Sequence, residues 1–82
     1  MVLVDIFVPS VDKTYNFSLN ENIAVHTIID EIEEMIAQKE QTILRGESSG
    51  MELWLKETKS MLSREYTLAE NGVKTGCFLI LV

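Results

Sequence analysis

The chain has 82 residues and a formal net charge of −6 at pH 7, with 46% of its residues hydrophobic. That length holds one small domain with one core, and that apolar content excludes a disordered chain. The acidic balance disfavours nucleic acid, whose phosphates call for lysine and arginine, and it disfavours anionic membrane surfaces.

Val2 to Val8 is β-branched and apolar and reads as a strand. Pro9-Ser10-Val11-Asp12 interrupts it with turn chemistry. Lys13 to Leu19 alternates, with Tyr15, Phe17 and Leu19 on one face and Thr14, Asn16 and Ser18 on the other, as in a half-buried strand. These two segments make an N-terminal hairpin. Asn20-Glu21-Asn22 is a polar link, and either asparagine suits a helix cap.

Ala24 to Gln38 carries the one clean helical period in the chain. Val25, Ile28, Ile29, Ile32, Met35 and Ile36 recur at three- and four-residue steps and define a buried stripe. Asp30, Glu31, Glu33 and Glu34 are expected on the opposite, wet face. Lys39 and Arg45 suit the negative end of the helix. Glu47-Ser48-Ser49-Gly50 reads as a turn or loop.

Met51 to Lys56 alternates again, with Met51, Leu53 and Leu55 opposed to Glu52, Trp54 and Lys56. Met61 and Leu62 form a very short strand. Thr67-Leu68 to Asn71-Gly72-Val73 is a compact turn with two apolar anchors, and Asn71-Gly72 suits positive φ. Cys77 to Val82 is the last strand.

A lone amphipathic helix must bury its stripe, and here the only surface available is a sheet built from both flanks. The order β-β-α-β-(short β)-β places the first and last strands together at the sheet centre with the helix across one face. The expected fold is α+β: a β-grasp, or ubiquitin-like, single domain over residues 1–82. Its sheet is mixed, with four to five strands.

The segment from Thr67 to Val82 is similar to the final segment of ubiquitin without a gap, with Leu68, Val73, Leu79 and Leu81 at the apolar anchors. The start of the helix, Asn22-Ile23-Ala24-Val25-His26-Thr27-Ile28-Ile29, resembles the small bacterial YukD/EsaB family. Members of that family carry Pro-Val/Ile-Lys-x-Val/Leu-Ile there; this chain has Ala24 for the proline and His26 for the lysine. The resemblance implies a cytoplasmic accessory or regulatory protein of bacterial type VII (ESX/Ess/Yuk-like) secretion. It also implies that a secretion-system component is the protein partner.

Reactive chemistry is sparse. Ubiquitin and the sulfur carriers act through a thin tail ending in Gly-Gly. A chain ending Leu79-Ile80-Leu81-Val82 is expected to perform neither conjugation nor sulfur transfer, which leaves the sulfur-carrier reading as the disfavoured alternative. His26 is the sole histidine and Cys77 the sole cysteine, so no internal disulfide forms, and neither residue lies in a ligand or nucleophile pattern. His26 reads as an exposed residue of the first helical turn and Cys77 as a small half-buried one. Gly46 and Gly50 fit no phosphate-binding loop. The expectation is no enzyme, no cofactor and no metal. The N-terminus lacks the basic and apolar regions of a signal peptide, and no apolar run approaches the roughly 20 residues that span a bilayer. A soluble, cytoplasmic protein is expected.

Alternation supplies the functional expectation. If Val4, Ile6, Val8, Leu53, Leu55, Leu79 and Leu81 face the helix, then Leu3, Phe7, Trp54, Phe78, Ile80 and Val82 face the other way. On adjacent strands these six form an apolar patch for a protein partner, or for a second copy in a free-standing homodimer. The ubiquitin resemblance points to the same surface, since this sheet face is ubiquitin's main recognition surface and Trp54, Ile80 and Val82 match its positions.

Overall fold

In the computed structural model, residues 1–40 and 51–82 are described. The expected Glu47–Gly50 turn and the role given to Arg45 lie outside them. Five strands and one helix follow in the order β1 (Val2–Val8), β2 (Lys13–Leu19), α1 (Val25–Glu40), β3 (Leu53–Leu55), β4 (Ser60–Met61) and β5 (Phe78–Leu81). They assemble one mixed sheet in the spatial order β2-β1-β5-β3-β4. β1 runs antiparallel to β2 and parallel to β5, and β3 is antiparallel to both β5 and β4. This is the β-grasp arrangement that the order of elements implies.

Register fixes the faces. Ile6 lies beside Leu79, Leu79 beside Leu55, and Leu81 beside Leu53. Strand partners project to the same side, so these residues share the helix-facing side with Val4 and Val8, and all are buried. The helix adds Val25, Ile28, Ile29, Ile32 and Ile36, each at most 1% exposed. Each such side chain contributes about 1.5–3 kcal/mol when withdrawn from water.

Two helix positions depart from expectation. Met35, assigned to the buried stripe, is 42% exposed, whereas Glu33, assigned to the wet face, is only 9% exposed. Met35 adjoins the stripe at its margin, over the β2 side of the sheet. The helix also runs two residues past Gln38, to Glu40. That extension is held by tertiary contacts: Glu40 Oε2 accepts a 2.6 Å hydrogen bond from Tyr15 Oη, and Glu40 Oε1 pairs with Lys13 Nζ at 3.0 Å.

Neither asparagine caps the helix. Asn20 Oδ1 instead accepts from Asn22 N within the linker. The first helical N–H groups go to distant carbonyls, Val25 N to Tyr66 O at 2.9 Å and His26 N to Arg64 O at 3.1 Å. These bonds satisfy donors that a helix start would otherwise leave unpaired, and they tie the helix to the segment before β5.

That segment is stiffened locally. Thr67 N donates to Glu70 Oε1 and Glu70 N donates to Thr67 Oγ1, a reciprocal capping pair. Asn71 bridges back to Ser63, accepting from Ser63 N and donating to Ser63 O. Gly72 has φ +84°, where glycine avoids the Cβ penalty. The two expected anchors, Leu68 and Val73, are buried.

Strand limits are tighter than the alternation suggests. β3 covers only Leu53–Leu55 and β5 only Phe78–Leu81. β4 is Ser60–Met61 rather than Met61-Leu62: Leu62 turns inward and is buried, while Met61 is 50% exposed.

Leu68→Ala removes a fully buried side chain from the turn that holds the helix start. It is expected to lower unfolding free energy by about 2–5 kcal/mol in urea denaturation. A loss below about 1 kcal/mol would contradict this packing.

Candidate functional site

The sheet face turned away from the helix is the candidate site. Phe7 stands beside Ile80, Ile80 beside Trp54, and Trp54 beside Met61. Four apolar side chains from four strands therefore form one row across the sheet. Cross-strand partners in such a row have Cβ atoms about 5 Å apart, close enough to touch. Phe7, Trp54 and Ile80 are half-buried, as expected for side chains lying against one another on an open face.

The six expected residues all project from this face, but not as one block. Val82 continues the patch two residues beyond Ile80 along the chain and is 46% exposed. Phe78 sits between Asp5 and Lys56: it pairs with Asp5 across β1, and Lys56 Nζ lies 5.0 Å from its ring centroid. Glu57 accepts the Phe78 backbone N–H at 3.1–3.2 Å. Leu3 is 51% exposed and is separated from Phe7 along β1 by Asp5. Asp5 is in turn held by Asn16 Nδ2 at 2.6 Å. Leu3 thus forms an outlying apolar spot behind a polar pair. The centre of the site is Phe7, Trp54, Ile80 and Met61, bordered by Phe78 and Val82.

Met61 is the member that alternation missed. It sits in a strand of two residues, too short to show a period, and only its pairing with Trp54 sends it outward. A hairpin reading from Trp54 through the turn at Lys56–Lys59 would have found it. That turn closes with Lys59 N donating to Lys56 O, and Lys59 has φ +54°.

The other singled-out residues stand apart from this row. His26 is exposed in the first helical turn, with Thr27 Oγ1 3.4 Å from Nδ1. Cys77 is half-buried against the core, immediately before β5, and its Sγ accepts from Lys74 N at 3.4 Å. Among the described residues no group of three or more His, Cys, Asp or Glu side chains could hold a metal ion, and no helix is long and apolar enough to cross a membrane.

The strongest electrostatic feature lies on the helix side. Burial, reinforced by the hydrogen bond to Glu40 and by its charge, pushes the Tyr15 phenol up to about 12. The same hydrogen bond, with help from Lys13, holds the Glu40 carboxyl below its ordinary range. Lys39 Nζ lies 5.5 Å from the Tyr15 ring centroid.

No protein-family model matches this sequence, and no curated protein matches it. Solved structures do. The EccD5 ubiquitin-like domain from Mycobacterium xenopi is similar over 99% of this chain and 91% of its own, with a TM-score of 0.76 at 20% identity. The ubiquitin-like domain of an Arabidopsis thaliana protein is similar over 99% of this chain and 74% of its own, with a TM-score of 0.72 at 16% identity. A design based on ubiquitin gives a TM-score of 0.73 at 12% identity, over 99% of this chain and 85% of its own. The chain has the ubiquitin-like β-grasp fold.

The Tyr15 phenol is neutral when protonated, and its folded-state pKa lies above the unfolded value of 10.0. Its contribution to stability is therefore complete below pH 10 and is lost as pH rises toward 12. In a Tyr66→Phe background, where Tyr15 is the only tyrosine, tyrosinate absorbance is expected to appear with a midpoint near 12. Glu40→Gln should lower that midpoint part of the way, because burial remains. A midpoint of 10 in the parent would contradict the buried, bonded phenol.

Proposed function

We propose that this chain is a non-enzymatic ubiquitin-like adaptor that binds a protein partner through the outer sheet face. One observation carries the reading: Phe7, Ile80, Trp54 and Met61 form an apolar row across four strands, with Val82 and Phe78 beside it. A contiguous apolar patch on a small domain marks an interaction surface, and tryptophan is enriched among residues that dominate binding energy. The side chains of the row are suited to packing against another protein rather than to making or breaking bonds.

The finer reading is an accessory role in bacterial type VII secretion, in the cytoplasm, with a component of the secretion machinery as partner. It is supported by the resemblance of Asn22–Ile29 to the start of the YukD/EsaB helix. The mycobacterial EccD5 domain has the same fold over nearly the whole chain. A gene neighbourhood holding a secretion ATPase and small helical secreted proteins would support this role, and neighbours of unrelated function would count against it.

The direct test is capture of the partner by the tagged chain and by Trp54→Asp. The substitution is expected to weaken binding by about 30-fold or more, as loss of a central anchor does, with the circular dichroism spectrum preserved. Undiminished capture by a folded variant would remove the outer face from the account. Sedimentation of both proteins separates the alternative, a homodimer through the same face. In the adaptor reading both run as monomers; a wild-type dimer that Trp54→Asp dissociates would assign the face to self-association.

A further inference from the structure

Asn71-Gly72 is the one Asn-Gly pair in the sequence; the other asparagines, Asn16, Asn20 and Asn22, precede Phe17, Glu21 and Ile23. An asparagine side-chain amide is thermolabile, and most so before glycine, which has no Cβ to shield its backbone nitrogen. The backbone here demands that glycine. Gly72 has φ +84°, and among the described residues a Cβ built on it would meet nothing within 4 Å. Conformation rather than crowding therefore selects the residue, and the space beside it is open. Packing does not protect the pair.

Hydrogen bonds do protect it. Asn71 Oδ1 accepts from Ser63 N at 2.9 Å, and Nδ2 donates both its protons, to Ser63 O at 3.1 Å and to Thr67 O at 2.8 Å. Gly72 N donates to Ala69 O at 3.0 Å. An amide, unlike a carboxylate, accepts and donates at once, so these bonds need the reactive group intact. Val73 N donates to Leu68 O at 2.9 Å and closes the turn between two buried anchors. The same segment receives the first helical N–H groups at Arg64 O and Tyr66 O. One side chain thus combines chemical reactivity with a hold on the segment that fixes the helix start.

We propose that Asn71 is a self-deamidation site, held unreactive by its bonds to Ser63 and Thr67, whose conversion releases the start of α1. When the segment opens, Asn71 Cγ swings onto Gly72 N. That nitrogen loses its proton and bonds to Cγ, the Cγ–Nδ2 bond breaks, and Nδ2 leaves as ammonia, closing a five-membered succinimide. Water then opens one carbonyl–nitrogen bond of the ring, giving aspartate or isoaspartate. One amide and one water become one carboxylate and one ammonium ion, with no oxidant, reductant or cofactor. Neither product restores the native bonds. Aspartate turns acceptors toward the carbonyls of Ser63 and Thr67, which lose their Nδ2 donor. Isoaspartate lengthens the backbone by one atom inside the Leu68–Val73 turn. In both, the carbonyls of Arg64 and Tyr66 move away from Val25 and His26. The reaction runs one way, so it records how long the segment has spent open. It involves no residue of the outer-face row, so neither reading depends on the other.

The test incubates the full chain in warm, mildly alkaline buffer beside the acetylated, amidated peptide of residues 68–74, with products mapped by mass spectrometry. The peptide is expected to deamidate at least about tenfold faster than the folded chain, and urea that unfolds the chain should remove the difference. Glu70→Ala breaks the reciprocal Thr67–Glu70 pair. It should speed the reaction of the folded chain about fivefold, as loss of a cap does, without changing the rate of the matching peptide. The purified deamidated chain, and Asn71→Asp, should lose about tenfold in hydrogen-exchange protection at the Val25 and His26 amides, with the amides of β1 unchanged. Equal rates in peptide and folded chain would overturn the proposal, as would a first reaction at Asn16, Asn20 or Asn22. An unchanged rate in Glu70→Ala would contradict the gate. Full protection of Val25 and His26 in the aspartate form, or equal loss of protection in β1, would contradict a release confined to the helix start.

Discussion

The parallel pairing of β1 with β5 is the constraint on which the molecule depends. It joins residues more than seventy positions apart, Asp5 to Phe78, Ile6 to Leu79 and Phe7 to Ile80. With that register set, one side of both central strands is committed to the helix and the other to the outside. A slip of one residue would bury Phe78 and Ile80 and expose Leu79 and Leu81. The fully buried Leu79 and Leu81, packed with Ile6 and the isoleucine stripe of α1, oppose that slip by several kcal/mol. Core and candidate interface are two consequences of one alignment.

The remaining elements hold that pair in place. β2 and β3 flank it, and the helix lies across the inner side. The segment before β5 does more than connect: its carbonyls at Arg64 and Tyr66 receive the first helical N–H groups, and its Thr67–Glu70 and Asn71–Ser63 bonds make it rigid. The helix start and the approach to the last strand are thereby fixed together, so the stripe meets the sheet at a defined height.

Much of this was legible in the residues. The period of Val25, Ile28, Ile29, Ile32 and Ile36 identified the helix and its buried side. The alternation in β1, β3 and β5 assigned Phe7, Trp54 and Ile80 to the outer face. What alternation cannot convey is which strand residues end up as neighbours, so Leu3 was grouped with a row from which Asp5 separates it. Met61 was missed because two residues show no period. The helix margins failed for a related reason. Met35 and Glu33 lie where a small rotation exchanges inside for outside, and the stripe alone does not set that rotation. The capping asparagines were a sound local reading overridden by distant carbonyls, and the extension to Glu40 came from Tyr15 and Lys13, invisible to any local rule.

The chain therefore presents an apolar outer face set by side chains. That face follows from the position and register of β1 between β2 and β5. Interstrand nuclear Overhauser effects test that register most directly. The account predicts contacts linking Ile6 with Leu79, Phe7 with Ile80, and Ile80 with Trp54. Contacts displaced by one residue, placing Leu79 or Leu81 on the same side as Trp54, would contradict it.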